Sequence, residues 1–344
     1  MSGPCGAGGA GLTVRFDEDD VRIRPSKRSR PRTRTRPGHS EAAEGLVLTV
    51  DRGRYGCLID GVLVTAMQAR ELGHRSVVVG DRVDVVGDVT GSDGSLARIV
   101  RVQARTSALR RTADDDDPVE RIVVANADQL VVVAAVAEPA PTPRLIDRCL
   151  VAAYDAGLDS ILCVTKADLA DPSPLLDAYA GLGIDPVVTA VGRSGADPHA
   201  ADALLERLTG RVTVLVGHSG VGKSTLVNML VPSAQRRTGV VNDVTGRGRH
   251  TSTSAIMLPL ADGGWVVDTP GVRSFGLAHV EPETVLEAFP ELYEAAMDCP
   301  PGCAHAADSP GCALDAAVAA GRAGEKRLVS LRRLLDARDR QIGD

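Results

Sequence analysis

Aromatic side chains are scarce in this chain of 344 residues: they make up 2% of it, while hydrophobic residues of all kinds make up 44%. The chain has three Phe, four Tyr and one Trp. A core built mainly from Val, Ala and Leu favours aliphatic α/β packing over an aromatic-rich β-sandwich. The same scarcity leaves little material for recognising nucleic-acid bases by stacking on aromatic rings.

Long hydrophobic runs are missing as well. Val131–Val136 and Val212–Val216 are apolar but far too short to cross a bilayer. Met1–Ala10 lacks both the basic start and the apolar run of a secretory signal peptide. We therefore expect a soluble cytoplasmic protein with no membrane partner. A formal net charge of −6 argues against a surface coated uniformly with nucleic acid, although local patches decide binding more than the total does.

Residues 1–40 carry a basic run and no periodic apolar pattern. The positive residues are Arg22, Arg24, Lys27, Arg28, Arg30, Arg32, Arg34 and Arg36, and the prolines among them are Pro25, Pro31 and Pro37. This composition predicts a disordered arm. Its charge density suits a tether that seeks the phosphates of RNA, and a solvated tail that only aids solubility is the alternative.

Residues 41–108 contain short strand-like runs separated by turn pairs such as Asp60-Gly61 and Asp93-Gly94. The runs are Leu46–Val50, Cys57–Ile59, Val62–Thr65, Val77–Val79, Arg82–Val86 and Leu96–Val102. Strands at that spacing predict a small closed β-barrel, with the oligonucleotide-binding (OB) type favoured. Asp114–Asp117, followed by Pro118, then reads as an acidic hinge.

Residues 109–280 alternate apolar runs with helix-like stretches, which predicts an α/β domain with a largely parallel sheet covered by helices. The predicted strands are Val131–Val136, Ile161–Thr165, Pro186–Thr189, Val212–Val216, Ile256–Leu260 and Trp265–Val267. The predicted helices are Leu145–Ala156, Leu175–Leu182, Ala200–Leu208 and Ser224–Leu230. In residues 281–344, Pro282–Met297 and Leu314–Ala337 read as helices on either side of a cysteine cluster, which predicts a small helical domain.

A phosphate-binding loop is the most specific motif in the chain. Gly217-His218-Ser219-Gly220-Val221-Gly222-Lys223-Ser224 matches G-x-x-x-x-G-K-[ST] at every specified position, after an apolar strand and before a helix-like stretch that continues with Thr225. The glycines let backbone N–H groups point at phosphates, Lys223 reaches the β- and γ-phosphates, and the Ser224 hydroxyl ligates Mg²⁺. A chance glycine-rich turn is the alternative, and both flanks argue against it.

Thr165-Lys166-Ala167-Asp168 closes another predicted strand and is similar to N-K-x-D, the signature by which GTPases read guanine. The Asp168 carboxylate would accept hydrogen bonds from the guanine N1–H and exocyclic amine, a donor pair that adenine lacks, while the Lys166 stem packs on the base. Thr165 replaces the usual Asn, so one contact that steadies the base and the neighbouring loop is either lost or remade by its hydroxyl. A strand end with an Asp cap is the alternative.

Two further strand ends are candidates for the same site. Thr189 and Ala190 follow the next strand and could give a backbone N–H to the base. Asp268-Thr269-Pro270-Gly271 ends a later strand, where Asp268 can hold Mg²⁺ through water and the Gly271 N–H can sense the γ-phosphate. An ordinary exit from a strand into a turn is the alternative for this tetrapeptide.

The polar segment Gly246–Thr253 lies between the phosphate loop and Asp268, where a mobile first switch is expected. Thr251, with Thr253 as the second choice, would complete the Mg²⁺ shell. No glutamine follows Gly271, so His250 is the nearest polar candidate for orienting or deprotonating the attacking water. A basic surface loop with no switch function is the alternative.

The guanine motif precedes the phosphate loop, whereas an ordinary small GTPase places it afterwards. The chain is therefore predicted to be circularly permuted around one nucleotide site. Except for residues 1–40, the whole chain resembles the ribosome small-subunit-dependent GTPase A (RsgA/YjeQ-like) family. The stretches that carry the resemblance are Glu120–Gln129, Gly217–Asn228, Gly248–Thr251 and Asp268–Gly271.

The resemblance implies an OB-like barrel over residues 41–108, a circularly permuted P-loop GTPase domain over 109–280 and a helical zinc-binding domain over 281–344. It also implies hydrolysis of GTP to GDP and phosphate, with Mg²⁺, in a reaction stimulated by the small ribosomal subunit late in its maturation. The expected partners are that subunit and its rRNA, and we expect the chain to be a monomer.

Cys299, Cys303, His305 and Cys312 crowd into one segment, while the other cysteines lie apart at Cys5, Cys57, Cys149 and Cys163. Three thiolates and one imidazole make a full tetrahedral shell for one structural Zn²⁺, with no open position for catalysis. The resembled family's cluster has the same order, although the first spacing here is one residue shorter. A metal-free cluster or a stray disulfide is the alternative.

Two other functions share part of this pattern. An ATP-dependent kinase would use the same phosphate loop, but Asp168 and the lack of an evident acceptor site in the sequence argue against it. An RNA-binding assembly module would keep the nucleotide site as structure only, and its turnover would not respond to small ribosomal subunits.

Overall fold

The computed structural model describes residues 41–72, 77–112, 120–190, 199, 201–232, 255–269, 275, 277 and 279–339. The predictions made for the arm 1–40, for Asp114–Asp117 and for Gly246–Thr253 lie outside these residues. None of the helices within the described ranges combines the length and the apolar character that a bilayer crossing requires.

The described chain begins with strands and ends with helices. The strands are β1 (Ala43–Asp51), β2 (Arg54–Ile59), β3 (Val62–Gln68), β4 (Arg82–Gly87), β5 (Ala97–Val102), β6 (Ala108–Thr112), β7 (Glu120–Ala125), β8 (Gln129–Ala135), β9 (Asp159–Thr165), β10 (Pro186–Val188), β11 (Val212–Val216), β12 (Ile256–Pro259) and β13 (Trp265–Asp268). The helices are α1 (Pro143–Asp155), α2 (Ser173–Tyr179), α3 (Asp202–Leu208), α4 (Lys223–Leu230), α5 (Pro282–Glu287), α6 (Pro290–Ala296), α7 (Ala313–Ala319) and α8 (Glu325–Asp339).

Strands β1 to β5 form the predicted OB-like barrel. They are hydrogen-bonded in the order β1-β2-β3-β5-β4, and β4 pairs back to β1, which closes the barrel. The β3–β5 pair is parallel and the other pairs are antiparallel. Alternate side chains point inward, as a strand's period of two requires, and Val47, Cys57, Val64 and Ile99 are completely buried.

The predicted strand at Val77–Val79 is wrong. Within this segment only Val79 forms a β-bridge, to Val124. The Val78 amide instead donates to the Asp81 carboxylate at 2.8 Å. This local hydrogen bond turns the chain before β4, as an Asp side chain commonly does. Sequence reasoning also missed the two-stranded antiparallel sheet that β6 forms with β7.

The strands after β7 form a largely parallel group, as the alternation of strands and helices predicted. Its order is β10-β9-β8-β11-β13-β12, and only β12 in this group runs antiparallel to its neighbour. All residues of β8 are buried, because both of its faces are covered. Leu130, Val132 and Ala134 pack with α1 and the C-terminal helices, whereas the alternate residues pack with α3 and α4.

Chain order and sheet order differ in an informative way. Within this group, β8, β9 and β10 come first in the chain, and β8 pairs directly with β11, which begins the second half of the group. β12 also pairs with β1 at Ile256 and Thr49, so the barrel and the parallel strands belong to one 11-stranded sheet. The strand that follows Gly246–Thr253 in the chain is thus hydrogen-bonded to the barrel.

Each of the two long C-terminal helices predicted from the sequence is interrupted. Pro282–Met297 divides into α5 and α6 because Phe289, directly before Pro290, has φ −126° and ψ 75°, which is not helical. Leu314–Ala337 divides into α7 and α8, with Gly321 at φ +69° between them. α8 packs against α1, and these helices share one core with the parallel sheet.

Candidate nucleotide site and cysteine cluster

The carboxyl ends of the parallel strands bring the predicted nucleotide motifs to one edge of the sheet. β10 ends before Thr189, β9 ends in Thr165, β11 leads into Gly217 and β13 ends in Asp268. In open α/β sheets this edge is where ligands bind. The sheet therefore gathers, side by side, groups that lie far apart in the chain.

Backbone geometry at the phosphate loop requires glycine. Gly220 and Gly222 have φ +84° and +92°, a region that residues with a Cβ rarely adopt. A Cβ on Gly217 would lie 2.5 Å from the carbonyl oxygen of Val133. α4 begins at Lys223, so the loop delivers the free N–H groups of a helix start to the same place. His218, Ser219, Ser224 and Thr225 are exposed there, and Val221 is buried.

Two motifs that are separate in the sequence meet in an ion pair. The Lys223 ammonium is paired with the Asp268 carboxylate, and both side chains are mostly buried. The hydroxyl of the neighbouring Thr269 donates to the carbonyl oxygen of Leu215 at 2.8 Å, which fixes the end of β13 to β11. The cationic and the Mg²⁺-binding candidates therefore converge beside the glycine loop.

Thr165 connects the base side to the phosphate side. The residue is 0% exposed, and its hydroxyl donates to the carbonyl oxygen of Val221 at 2.6 Å. The Thr165 hydroxyl oxygen also lies 3.4 Å from the carbonyl oxygen of Ala134, near the end of β8, which lies between β9 and β11. The hydroxyl therefore makes a contact to the phosphate loop from the position where N-K-x-D has its amide.

The remaining base-side residues form an exposed turn. Lys166 has φ +59° and donates from its ammonium to the carbonyl oxygen of Glu138. The Ala167 amide donates to the Thr189 carbonyl at 3.2 Å, which joins this turn to the end of β10. Asp168 and Ala190 are exposed beside it. Nothing in the sequence indicated Glu138, because its contact is made by a backbone carbonyl.

Three candidates, His250, Thr251 and Gly271, lie outside the described residues.

The cysteine cluster is assembled as the sequence suggested. One ligand atom from each of Cys299, Cys303, His305 and Cys312 lies within 4.8 Å of all the others. The Ala313 amide donates to the Cys299 sulfur at 3.2 Å, and His305 Nδ1 lies 3.6 Å from that sulfur and 3.9 Å from the sulfur of Cys312. Three sulfurs and one imidazole at these distances fit a tetrahedral metal ion such as Zn²⁺.

Protonation favours the same assignment. Burial lowers the pKa of His305, which keeps the imidazole in the neutral form that binds metals. Burial raises the pKa of Cys57, Cys149 and Cys163 to about 12, so these thiols stay protonated. Burial also raises the pKa of Cys312, and it is the grouping with three other ligand atoms that sets this thiol apart from the isolated ones.

Some residues around these sites gave no signal in the sequence. Arg332 hydrogen-bonds to the His305 carbonyl at 2.9 Å and to Asp315. Arg333, the next residue, lies 3.1 Å from the carboxylate of Asp147 on α1. These pairs join different helices, and a helical pattern alone does not tell which charges meet.

Comparisons with known proteins agree with this geometry. The model of the RsgA GTPase family matches residues 102–278. The chain is 38% identical over 268 residues to "Small ribosomal subunit biogenesis GTPase RsgA" of Gemmatimonas aurantiaca, covering 77% of this chain and 85% of that one. It is 36% identical over 275 residues to the protein of the same name from Chlorobaculum parvum, covering 78% and 87%.

Two solved structures are similar as well. YjeQ from Thermotoga maritima superposes with a TM-score of 0.64 at 27% identity, covering 88% of this chain and 99% of that one. YloQ, described as a circularly permuted GTPase, superposes with a TM-score of 0.61 at 23% identity over 88% and 97%, which shows the shared fold. The predicted fold class, a permuted P-loop GTPase with an OB-like barrel and a C-terminal cysteine cluster, is confirmed. This chain belongs to the RsgA GTPase family and is a GTPase.

Proposed function

We propose that this GTPase acts in the late maturation of the small ribosomal subunit, and that the subunit stimulates its hydrolysis of GTP to GDP and phosphate. The relatives described above carry small ribosomal subunit biogenesis in their names, and the chain spans most of their length. The observation that supports GTP hydrolysis is that Lys223, Asp268 and the Thr165–Val221 contact meet at one edge of the sheet.

Each candidate residue has a definite role in this proposal. The amides of residues 217–225 and the Lys223 ammonium bind the phosphates, and the Asp168 carboxylate reads the guanine edge beside Thr189 and Ala190. Mg²⁺ that accompanies GTP would be held by Ser224 and Thr251 and, through water, by Asp268. The Gly271 N–H would contact the γ-phosphate, and His250 would orient the attacking water.

The barrel is the proposed contact to rRNA. Arg54, Arg82 and Arg98 are exposed on β2, β4 and β5. Exposed arginines of this kind bind phosphates rather than specific bases, so the contact should weaken steeply with salt. We further propose that the chain acts as a cytoplasmic monomer and that its cysteine cluster holds one structural Zn²⁺, which shapes the C-terminal surface without doing chemistry.

The test is GTP turnover with and without purified small ribosomal subunits. Large ribosomal subunits serve as the matched particle, and Lys223→Ala serves as the variant that cannot bind phosphate. We expect small subunits to raise the rate for the unmodified chain only, with one inorganic phosphate released for each GDP. Equal rates with both kinds of subunit would refute the proposed partner and favour an RNA-binding module.

A further inference from the structure

Arg332 contacts the cysteine cluster from outside its four ligands. Its Nε donates to the carbonyl oxygen of His305 at 2.9 Å. Its Nη1 and Nη2 donate to the two carboxylate oxygens of Asp315 at 2.9 and 2.7 Å. The side chain of Arg332 is 18% exposed and that of Asp315 is 51% exposed, so the hydrogen bond to His305 is the more shielded of these contacts. One guanidinium thereby contacts both sides of the segment that carries His305 and Cys312.

The two contacts fix different ligands. His305 has φ +57°, a conformation that costs free energy for a residue with a side chain. The hydrogen bond from Arg332 holds this backbone in place. Asp315 lies in the first turn of α7, which begins directly after Cys312. The paired hydrogen bonds to Asp315 therefore fix the helix start from which the Cys312 sulfur projects.

Electrostatics point the same way. Three thiolates, a neutral imidazole and a divalent cation carry a net charge of about −1, which favours a cation nearby. A guanidinium is also planar, so it matches a carboxylate through two parallel hydrogen bonds in a way that an ammonium cannot.

The helix that carries Arg332 is itself fixed to the nucleotide-binding part of the chain. Arg333 stacks over the ring of Tyr179 at 4.3 Å and donates to the Ala178 carbonyl at 2.8 Å. Leu331 and Leu334 of α8 are completely buried in the core shared with α1. Arg332 thus reaches the cysteine cluster from a rigid support.

We propose that Arg332 is a positioning residue for the metal centre. It holds His305 and Cys312 in ligand geometry before the metal binds. Outer contacts of this kind orient ligands and typically change metal affinity by about 10- to 100-fold. The inference rests on the proposed Zn²⁺ site and adds to it a residue that binds no metal.

The experiment measures the Zn²⁺ affinity of the full-length chain by competition with a chromophoric chelator. Arg332→Ala should bind Zn²⁺ about 10- to 100-fold more weakly. Arg332→Lys should be intermediate, because it keeps the charge and loses the paired geometry, and Asp315→Asn should also weaken binding. Arg322→Ala is the matched control, since Arg322 is exposed in the turn between α7 and α8 and should leave the affinity unchanged.

Zn²⁺ affinity is compared at a temperature at which circular dichroism shows every variant to be folded. Nucleotide affinity is measured on the same samples as a second control for correct folding. Unchanged Zn²⁺ affinity in Arg332→Ala would overturn the inference. Should Arg332→Ala fail to fold, Arg332→Lys and Asp315→Asn decide, and wild-type affinity in both would overturn it. An unmodified chain that binds no Zn²⁺ would refute the metal site itself, which is a distinguishable result.

Discussion

Thr165 is the residue through which the base side and the phosphate side of the site share one hydrogen bond. It is completely buried, and its hydroxyl is the donor that the Val221 carbonyl accepts at 2.6 Å. A buried carbonyl that loses its donor costs about 1–3 kcal/mol. The phosphate loop therefore depends on a side chain from a strand that is not its neighbour in the sheet.

Replacing Thr165 with Val keeps the shape and removes the hydroxyl. We expect the affinity for GTP to fall about tenfold, because roughly 1.4 kcal/mol of loop stabilisation is lost. Titration with a fluorescent GTP analogue measures this. Thr209→Val is the control, since its exposed hydroxyl donates to the Leu205 carbonyl within its own helix end. Wild-type affinity in Thr165→Val would show that the contact does not support binding.

At this scale the sequence predicts motifs whose residues are adjacent. Gly217–Ser224 was found because its spacing, its strand and its helix are all local. The contact of Lys166 with Glu138 joins positions 28 residues apart, and that of Arg332 with His305 joins positions 27 apart. Such contacts depend on how helices and strands pack, which no local pattern encodes.

At the scale of elements, α8 approaches the short 3₁₀ turn Ala180–Leu182 very closely. A Cβ on Gly181 would lie 2.4 Å from the Lys326 carbonyl oxygen and 2.7 Å from the Ser330 hydroxyl. The backbone of Lys326 cannot move away from an added methyl group as the end of a flexible side chain could. Gly181 is therefore required for the packing between the C-terminal helices and the nucleotide-binding part of the chain.

Gly181→Ala should lower the free energy of unfolding by about 1–3 kcal/mol, because the added methyl forces the two elements apart. Urea unfolding followed by circular dichroism measures the change. Gly324→Ala is the control, since only the Arg327 Cγ, at 3.9 Å, comes near the added atom. Equal losses in the two variants would contradict the close approach.

Asp147 on α1, whose carboxylate lies beside Arg333 of α8, makes the stability of the chain depend on pH. Burial raises its pKa from 3.8 to about 6, against the opposing effects of Arg333 and of a hydrogen bond with Tyr179. The folded chain thus holds the proton more tightly than the unfolded chain does. The associated stabilisation is complete below about pH 4 and is lost as the pH rises through about 6.

We therefore expect the stability of the unmodified chain relative to Asp147→Asn to fall between pH 4 and pH 7, by on the order of 2 kcal/mol. Urea unfolding at several pH values gives this difference directly. Asp262→Asn, at an exposed position, is the control for the loss of one carboxylate charge. A difference for Asp147→Asn that did not change with pH would mean that the pKa of this carboxyl is not raised.

Elements were predictable where burial imposed a clear pattern. The parallel strands are continuous apolar runs because both faces of β8 and its neighbours are covered. The interruption at Phe289–Pro290 follows from a local rule that the overall apolar periodicity obscured. Val77–Val79 failed as a strand because the Val78 amide donates to the Asp81 carboxylate, and this local hydrogen bond competes with strand pairing.

At the scale of the whole molecule, the permuted order of motifs leaves the sheet edge intact. β9 brings Thr165–Asp168 from the first half of the chain, and β11 brings the phosphate loop from the second, with β8 between them. β12 pairs with β13, the strand that ends in Asp268, and also with β1 of the barrel, so it connects the nucleotide site to the barrel. The account depends on these separate segments forming one guanine-nucleotide pocket.

The most direct measurement is the nucleotide preference of Asp168→Asn, followed as turnover of GTP and of xanthosine triphosphate. An amide at this position donates to the xanthine carbonyl and no longer pairs with the guanine amine. We expect kcat/KM for GTP to fall about 100-fold or more, and xanthosine triphosphate to become the better substrate. Asp171→Asn, in the same exposed stretch, should keep the preference for GTP. If Asp168→Asn also kept it, the carboxylate would not read the base and the proposed pocket would be wrong.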